Sequence, residues 1–168
     1  VEALARLRVL ARPVSLLYVG DGQLSAETSA KARRLGVGEP VGFLGEREDV
    51  TTLLAAGDVV VRASEAEGFG LTLLEAMAAR TPVVAFDLAG YRGFAAHRVT
   101  ARLVPCFDTE AFADAIDDAL ESTDETAAIV ARAAEEVDRH RPERRAETIA
   151  GIYDRVAHRP ETLTSRQG

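Results

Sequence analysis

Residues 58–86, DVVVRASEAEGFGLTLLEAMAARTPVVAF, decide the fold of this chain. Asp58–Ala63 is short and carries Val59, Val60 and Val61 in succession, as does a strand buried on both faces of a parallel sheet. Glu67-Gly68-Phe69-Gly70 breaks that pattern, because two glycines flanking an aromatic suit neither a strand nor a helix interior. From Leu71 to Ala79 apolar residues recur at helical spacing, Leu71, Leu74 and Ala78 in one row, Leu73 and Met77 in another. Thr81-Pro82 stops the helix, and Val83–Phe86 is a second apolar strand. Strand, turn, helix and strand in this order form a parallel βαβ unit.

Such a unit has a defined place for a ligand. In open α/β sheets ligands sit beyond the carboxyl ends of the strands, and Ser64–Gly70 is the loop in that place. Without Cβ atoms, Gly68 and Gly70 let a ligand approach the backbone N–H groups. The positive end of the helix that starts near Leu71 favours phosphate at the same spot. Glu67 lies just before that helix and Glu75 in its second turn. Two carboxylates around an anion site fit a ligand that also bears hydroxyls, since a carboxylate accepts hydrogen bonds from sugar OH groups.

Glu67-Gly-Phe-Gly-Leu-Thr-Leu-Leu-Glu75-Ala-Met-Ala, followed by Thr-Pro-Val-Val-Ala, resembles the Glu-x7-Glu signature of retaining GT-B glycosyltransferases of family 4. Residues 17–22 (LYVGDG), 41–45 (VGFLG), 53–58 (LLAAGD), 103–105 (LVP) and the late Pro-Glu-Arg-Arg…Ile-Tyr-Asp-Arg-Val segment resemble that family in order and spacing. The resemblance covers nearly the whole chain. It implies the C-terminal, donor-binding half of a GT-B fold: an α/β, Rossmann-like, doubly wound parallel sheet with helices on both faces. The domain is expected to span 1–158, with C-terminal helices from about 124 and a flexible tail at 159–168.

The implied activity is retaining glycosyl transfer from a nucleoside-diphosphate sugar to an acceptor held by an N-terminal domain that is missing from this chain. On the matching positions, Glu67 orients the transferred sugar and Glu75 holds the ribose hydroxyls. Gly20, Gly68, Phe69, Gly70 and Leu71 belong to the donor site, Phe69 through its N–H more than its ring. Gly45, Glu46 and Arg47 lie where family members place the nucleotide base. No metal is implied, and no cofactor besides the nucleotide sugar as substrate. Read without the resemblance, Glu75 is a solvated helix glutamate and Glu67 complements the dipole of the helix it precedes. Residues 45–49 are then a charged turn, with Asp49 the N-cap of a helix over 50–56.

The sequence also departs from the family. The Gly-Arg…Lys-Gly loop and the strand that come before the 1–12 helix in relatives are not among these 168 residues. With strand order 3-2-1-4-5-6 that strand is central, so the strands at 15–19 and 58–62 are expected either to leave a gap or to pair directly. Poor stability and no sugar transfer are expected of the 168 residues alone. Ala89 and Gly93 stand where the family often has a Gly-Gly and a Glu. Arg80 replaces the glycine that commonly ends the helix, at a cost of about 1 kcal/mol for a left-handed non-glycine residue.

Elsewhere the pattern is plain. Val1–Arg12 is amphipathic, with Val1, Leu4, Leu7 and Leu10 or Ala11 on one side. A strand over 15–19 runs into Gly20-Asp-Gly22, a helix from 25 or 26 to 34 stops at Gly36, and 41–44 is a strand. Leu103-Val104 is the last strand, and Asp108-Thr109 caps a helix over 110–121 with Phe112, Ala115, Ile116 and Ala119 inward. Helices over 126–139 and 142–157 follow, Pro142 suiting a first turn.

Composition sets the outer bounds. A chain of 168 residues, 47% hydrophobic, suits one α/β domain with a substantial core. A net charge of −7 argues against a nucleic acid or an anionic membrane as main partner. Cys106 is alone, so neither a disulfide nor a metal cluster is expected, and His97, His140 and His158 are scattered and receive no catalytic role. Lys31, the one lysine among 20 basic residues, lies outside the loop where a pyridoxal-phosphate phosphorylase would need it. The sequence shows no signal peptide or transmembrane run, so a cytoplasmic protein is expected, touching a membrane only through the missing half. Two other classes stay open: a non-catalytic nucleotide-binding fragment or degenerate paralogue, and a GT-B-like sugar-nucleotide epimerase, which the Glu67–Glu75 spacing disfavours.

Overall fold

Each pair of strands in the computed structural model is parallel, and the strands fall into two groups. The structure describes residues 1–121 and 123–158. Leu16–Tyr18 (β1) pairs with Val41–Phe43 (β2), and Val60–Arg62 (β3), Val83–Phe86 (β4) and Arg102–Val104 (β5) pair in that order. The helices are Glu2–Val9 (α1), Ser25–Arg34 (α2), Val50–Ala56 (α3), Leu71–Ala78 (α4), Thr109–Leu120 (α5), Asp124–Arg139 (α6) and Pro142–Ala157 (α7). A 3₁₀ turn, Ala89–Tyr91, follows β4.

Of the two outcomes expected for β1 and β3, a gap or a direct pairing, the structure has the gap: no ladder joins them among the described residues, and the sheets are β1-β2 and β3-β4-β5. The gap corrects one expectation. β3 is half-buried along its length, not buried on both faces, because it is an edge strand, whereas β4 between its two neighbours is buried throughout. β4 alternates between two cores. Val83 and Ala85 pack with Leu73 and Met77 of α4, Tyr91, Phe94 and Ala133 of α6. Val84 and Phe86 pack with Phe112 and Ile116 of α5 and Leu7 of α1. Helices therefore cover both faces of the sheet.

Local signals set most helix ends. α2 closes through Gly36 at φ +73°, with Val37 N–H donating to Ala32 at 2.9 Å and Gly36 N–H to Arg33 at 3.1 Å. Arg80, at φ +60°, closes α4 with the same two bonds, Thr81 to Ala76 and Arg80 to Met77, both 3.1 Å. Asp108 caps α5 by accepting from Ala111 N–H at 2.9 Å. Two expectations fail. α1 ends at Val9, so Leu10 and Ala11 leave the apolar side, Leu10 being 51% exposed; Ala11 adopts φ +59° just ahead of Pro13. Asp49 occupies the N-cap position of α3 without capping it, because its carboxylate is taken by Arg47. The tail expected at 159–168 lies outside the described residues. Among the described residues no helix is long and apolar enough to cross a membrane.

Candidate functional site

The carboxyl end of β3 brings polar groups to one oxygen. Arg62 ends the strand, Ser64 follows, and the loop returns Glu67 over both. Arg62 donates from Nε at 3.1 Å and from Nη2 at 2.9 Å, and Ser64 from Oγ at 2.8 Å, all to Oε1 of Glu67. No donor among the described residues reaches Oε2. The Ser64 hydroxyl first, then the Arg62 guanidinium, hold the Glu67 carboxyl below the ordinary carboxylate range, outweighing burial. Glu67 is thus ionised, its side chain 19% exposed.

Tyr91 lies behind this group and is completely buried. Its hydroxyl is near enough to Ser64 and Arg62 to feel both, yet makes no hydrogen bond of good geometry among the described residues. Burial, and next the charge of Glu67, push the Tyr91 pKa up, so it is a neutral phenol. Its ring explains Gly70. That residue is the N-cap of α4 at φ +83°, and a Cβ there would lie 2.3 Å from Tyr91 Cε1. The open approach expected at both glycines is therefore filled by the tyrosine at Gly70 and present at Gly68, where a Cβ would meet nothing within 4 Å. The 3₁₀ turn lies against the same loop, since a Cβ on Gly90 would come within 2.4 Å of the Glu67 carbonyl oxygen.

The N–H groups of Gly68, Phe69 and Gly70 have no acceptor among the described residues, and α4 starts without a side-chain cap. Free donors and the positive end of the α4 dipole therefore lie beside the Glu67 carboxylate. The Phe69 ring packs under the turn, 5.4 Å from Phe94 and 6.0 Å from His140 between ring centroids, with Arg145 of α7 5.3 Å above it. Glu75 is exposed, one turn beyond Leu71 on the solvent side of α4, with Leu73, Ala76 and Met77 turned inward. Its carboxylate makes no hydrogen bond or ion pair among the described residues, while its backbone carbonyl accepts from Ala79 N–H at 2.9 Å.

The remaining candidates meet on the other side of the gap. Gly20 (φ +108°) and Gly45 (φ +66°) are joined by a 2.7 Å hydrogen bond from Gly20 N–H to the Gly45 carbonyl. This links the turns after β1 and β2. Gly20 also lines an open cleft of about 230 Å³ with Tyr18 and Phe43, whose rings stack at 5.0 Å. Beyond Gly45, Glu46 is exposed and Arg47 grips Asp49 with two 2.8 Å hydrogen bonds, which lower the Asp49 pKa. No hydrogen bond among the described residues connects these turns to Ser64–Gly70.

Sequence reasoning does not single out Arg62, Ser64 or Tyr91. Arg62 had a signal: it interrupts an apolar strand five residues before Glu67. Tyr91 had none, because only packing brings it beneath Gly70. Among the described residues no group of three or more His, Cys, Asp or Glu side chains could hold a metal ion.

Parallel strands with helices on both faces make this an α/β, Rossmann-like fold, and its neighbours among solved structures are GT-B glycosyltransferases, consistent with the C-terminal half of that fold. The chain belongs to the family of glycosyl transferases group 1, which it matches over residues 1–137. It is 34% identical over 132 residues to a D-inositol 3-phosphate glycosyltransferase of Corynebacterium urealyticum, covering 77% of this chain and 31% of that protein. It is 35% identical over 147 residues to a phosphatidyl-myo-inositol mannosyltransferase of Mycobacterium leprae, covering 86% and 38%. Among solved structures, HepE of Anabaena in complex with UDP superposes with a TM-score of 0.77 at 31% identity, over 89% of this chain and 43% of that one. The chain thus spans less than half the length of these relatives.

Proposed function

We propose that this chain is the donor-binding half of a family 4, retaining glycosyltransferase that takes a nucleoside-diphosphate sugar. The observation that carries the proposal is Glu67, held as an anion next to the free N–H groups of Gly68, Phe69 and Gly70 at the start of α4. A carboxylate alone would repel a diphosphate; one beside a row of backbone donors suits a ligand with phosphate at one end and hydroxyls at the other. The 31% identical HepE, solved with UDP and with UDP-glucose, supports the same ligand class. Glu67 and Glu75 are the two glutamates of the Glu-x7-Glu signature.

In this proposal the diphosphate lies at the α4 N-terminus, and developing negative charge on the leaving group is stabilised by the helix dipole and the N–H groups of Gly68 to Leu71. Glu67 accepts from a hydroxyl of the transferred sugar. Glu75, on the solvent side of α4, accepts from the ribose hydroxyls. Gly20 and the 45–47 turn, tied to each other through Gly20 and Gly45, receive the nucleotide end. The acceptor attacks from the leaving-group face and is held by a further, N-terminal domain. Without that domain, the donor-binding half is proposed not to transfer sugar. No metal or cofactor is assigned a part, and the protein is placed in the cytoplasm, any contact with the inner membrane face being left to the acceptor-binding half.

Calorimetric titration with UDP, GDP and ADP and their glucose and mannose conjugates tests the proposal. Saturable binding of one nucleoside diphosphate, weakened by Glu75→Ala, is expected. No binding of any of them overturns it.

A further inference from the structure

Glu67 offers the outside only one of its two oxygens, because Arg62 and Ser64 fill Oε1 with three hydrogen bonds and leave Oε2 without a donor among the described residues. Resting on the donor-site assignment above, we propose that Arg62 and Ser64 are positioning residues for sugar recognition: they clamp Glu67 so that Oε2 alone faces the transferred sugar and takes its hydroxyl.

The clamp has a built floor. The Tyr91 ring fills the space under Gly70, and its buried hydroxyl faces Arg62, Ser64 and Glu67 without a well-aligned partner. The carboxylate therefore cannot swing inward, because a fully buried ring stands there. It cannot swing outward without breaking the bonds to Arg62. That arginine is itself anchored, as the last residue of β3 in register with Ala85 of the buried strand β4. A carboxylate free to rotate loses side-chain entropy when it engages a ligand; one already clamped does not, and its free oxygen is aimed beforehand.

The clamp also limits what Glu67 can do. An anion gripped by a guanidinium fork is a poor proton donor and a good hydrogen-bond acceptor. Glu67 accordingly binds and orients a hydroxyl and shuttles no proton. Arg62 is spoken for by Glu67, so it does not serve primarily as the cation for the diphosphate. A sugar clamp and a phosphate ligand differ in which part of the donor loses affinity when the arginine is removed.

Arg62→Met keeps most of the side-chain length, and Ser64→Ala removes one donor at little risk to folding. Each variant is titrated with the nucleoside diphosphate that binds tightest among UDP, GDP and ADP, and with its glucose and mannose conjugates. For both variants, affinity for the preferred sugar conjugate should fall about tenfold while affinity for the bare diphosphate stays within about twofold. Glu67→Gln should reproduce that split, and adding Arg62→Met to it should lower sugar affinity no further. Equal losses for diphosphate and conjugate would overturn the proposal and make Arg62 a phosphate ligand. A split in Glu67→Gln that both clamp variants lack would also overturn it, leaving the donor site intact. Failure of the wild-type protein to bind any nucleotide would overturn the donor site and the clamp together.

Discussion

Arg62 Nε and Nη2 both donate to one oxygen of Glu67, Oε1, at 3.1 and 2.9 Å, across the four residues between them. The strand end and the carboxylate beside the helix N-terminus are thereby a single mechanical unit. The pair is partly exposed, with Arg62 43% and Glu67 19% accessible, so its value lies more in fixing direction than in stability.

That pairing has a pH signature. The Glu67 pKa is lowered in the folded state, so its contribution to stability is full above the unfolded carboxyl value of about 4.3 and is lost as pH falls through the folded value. Urea midpoints measured between about pH 6 and pH 2.5 should therefore fall less steeply on the acid side in Arg62→Met than in wild type. Parallel curves would show that Arg62 does not set the Glu67 ionisation.

Gly68 and Gly70 should respond differently to alanine. Gly70→Ala places a Cβ 2.3 Å from the Tyr91 ring at φ +83°, adding left-handed strain to overpacking. It should destabilise the fold by about 2–4 kcal/mol in chemical denaturation. Gly68→Ala meets open space and should shift stability by less than about 1 kcal/mol in either direction. Similar losses in the two variants would contradict the packing of Tyr91 under Gly70.

Asp108 and Asp49 both precede a helix, but only Asp108 caps one. Asp108→Ala should lower stability by about 1 kcal/mol, whereas Asp49→Ala, whose carboxylate serves an exposed Arg47, should stay within about 0.5 kcal/mol. Thermal denaturation of the two variants side by side decides it.

Glu75→Ala should weaken nucleoside-diphosphate affinity by about 1.5–3 kcal/mol by calorimetry, with little change in stability because Glu75 is exposed and unpaired among the described residues. In the full-length enzyme, Glu67→Gln should lower turnover more than nucleotide affinity. Unchanged nucleotide affinity in Glu75→Ala would remove that residue from the donor site.

What the sequence alone determined is what depends on neighbours along the chain. The valines of 59–61 and 83–84, the helical rows from Leu71, the glycine stop at Gly36, the left-handed Arg80 and the cap at Asp108 act over a few residues, so period and composition reveal them. The inward set of α5, Phe112, Ala115, Ile116 and Ala119, follows from the same period and is buried. That β1 and β3 would flank the place of a missing strand, and so either leave a gap or pair directly, followed from the resemblance and strand order. Packing in three dimensions chose the gap over direct pairing and so made β3 an edge strand, turned Leu10 out of the core, and put a tyrosine ring in the space that a Cβ on Gly70 would take. It also decided which oxygen of Glu67 is spent inside the protein. Those outcomes depend on which side chains meet across the sheet and its loops, and no local spacing encodes the direction in which a side chain is held.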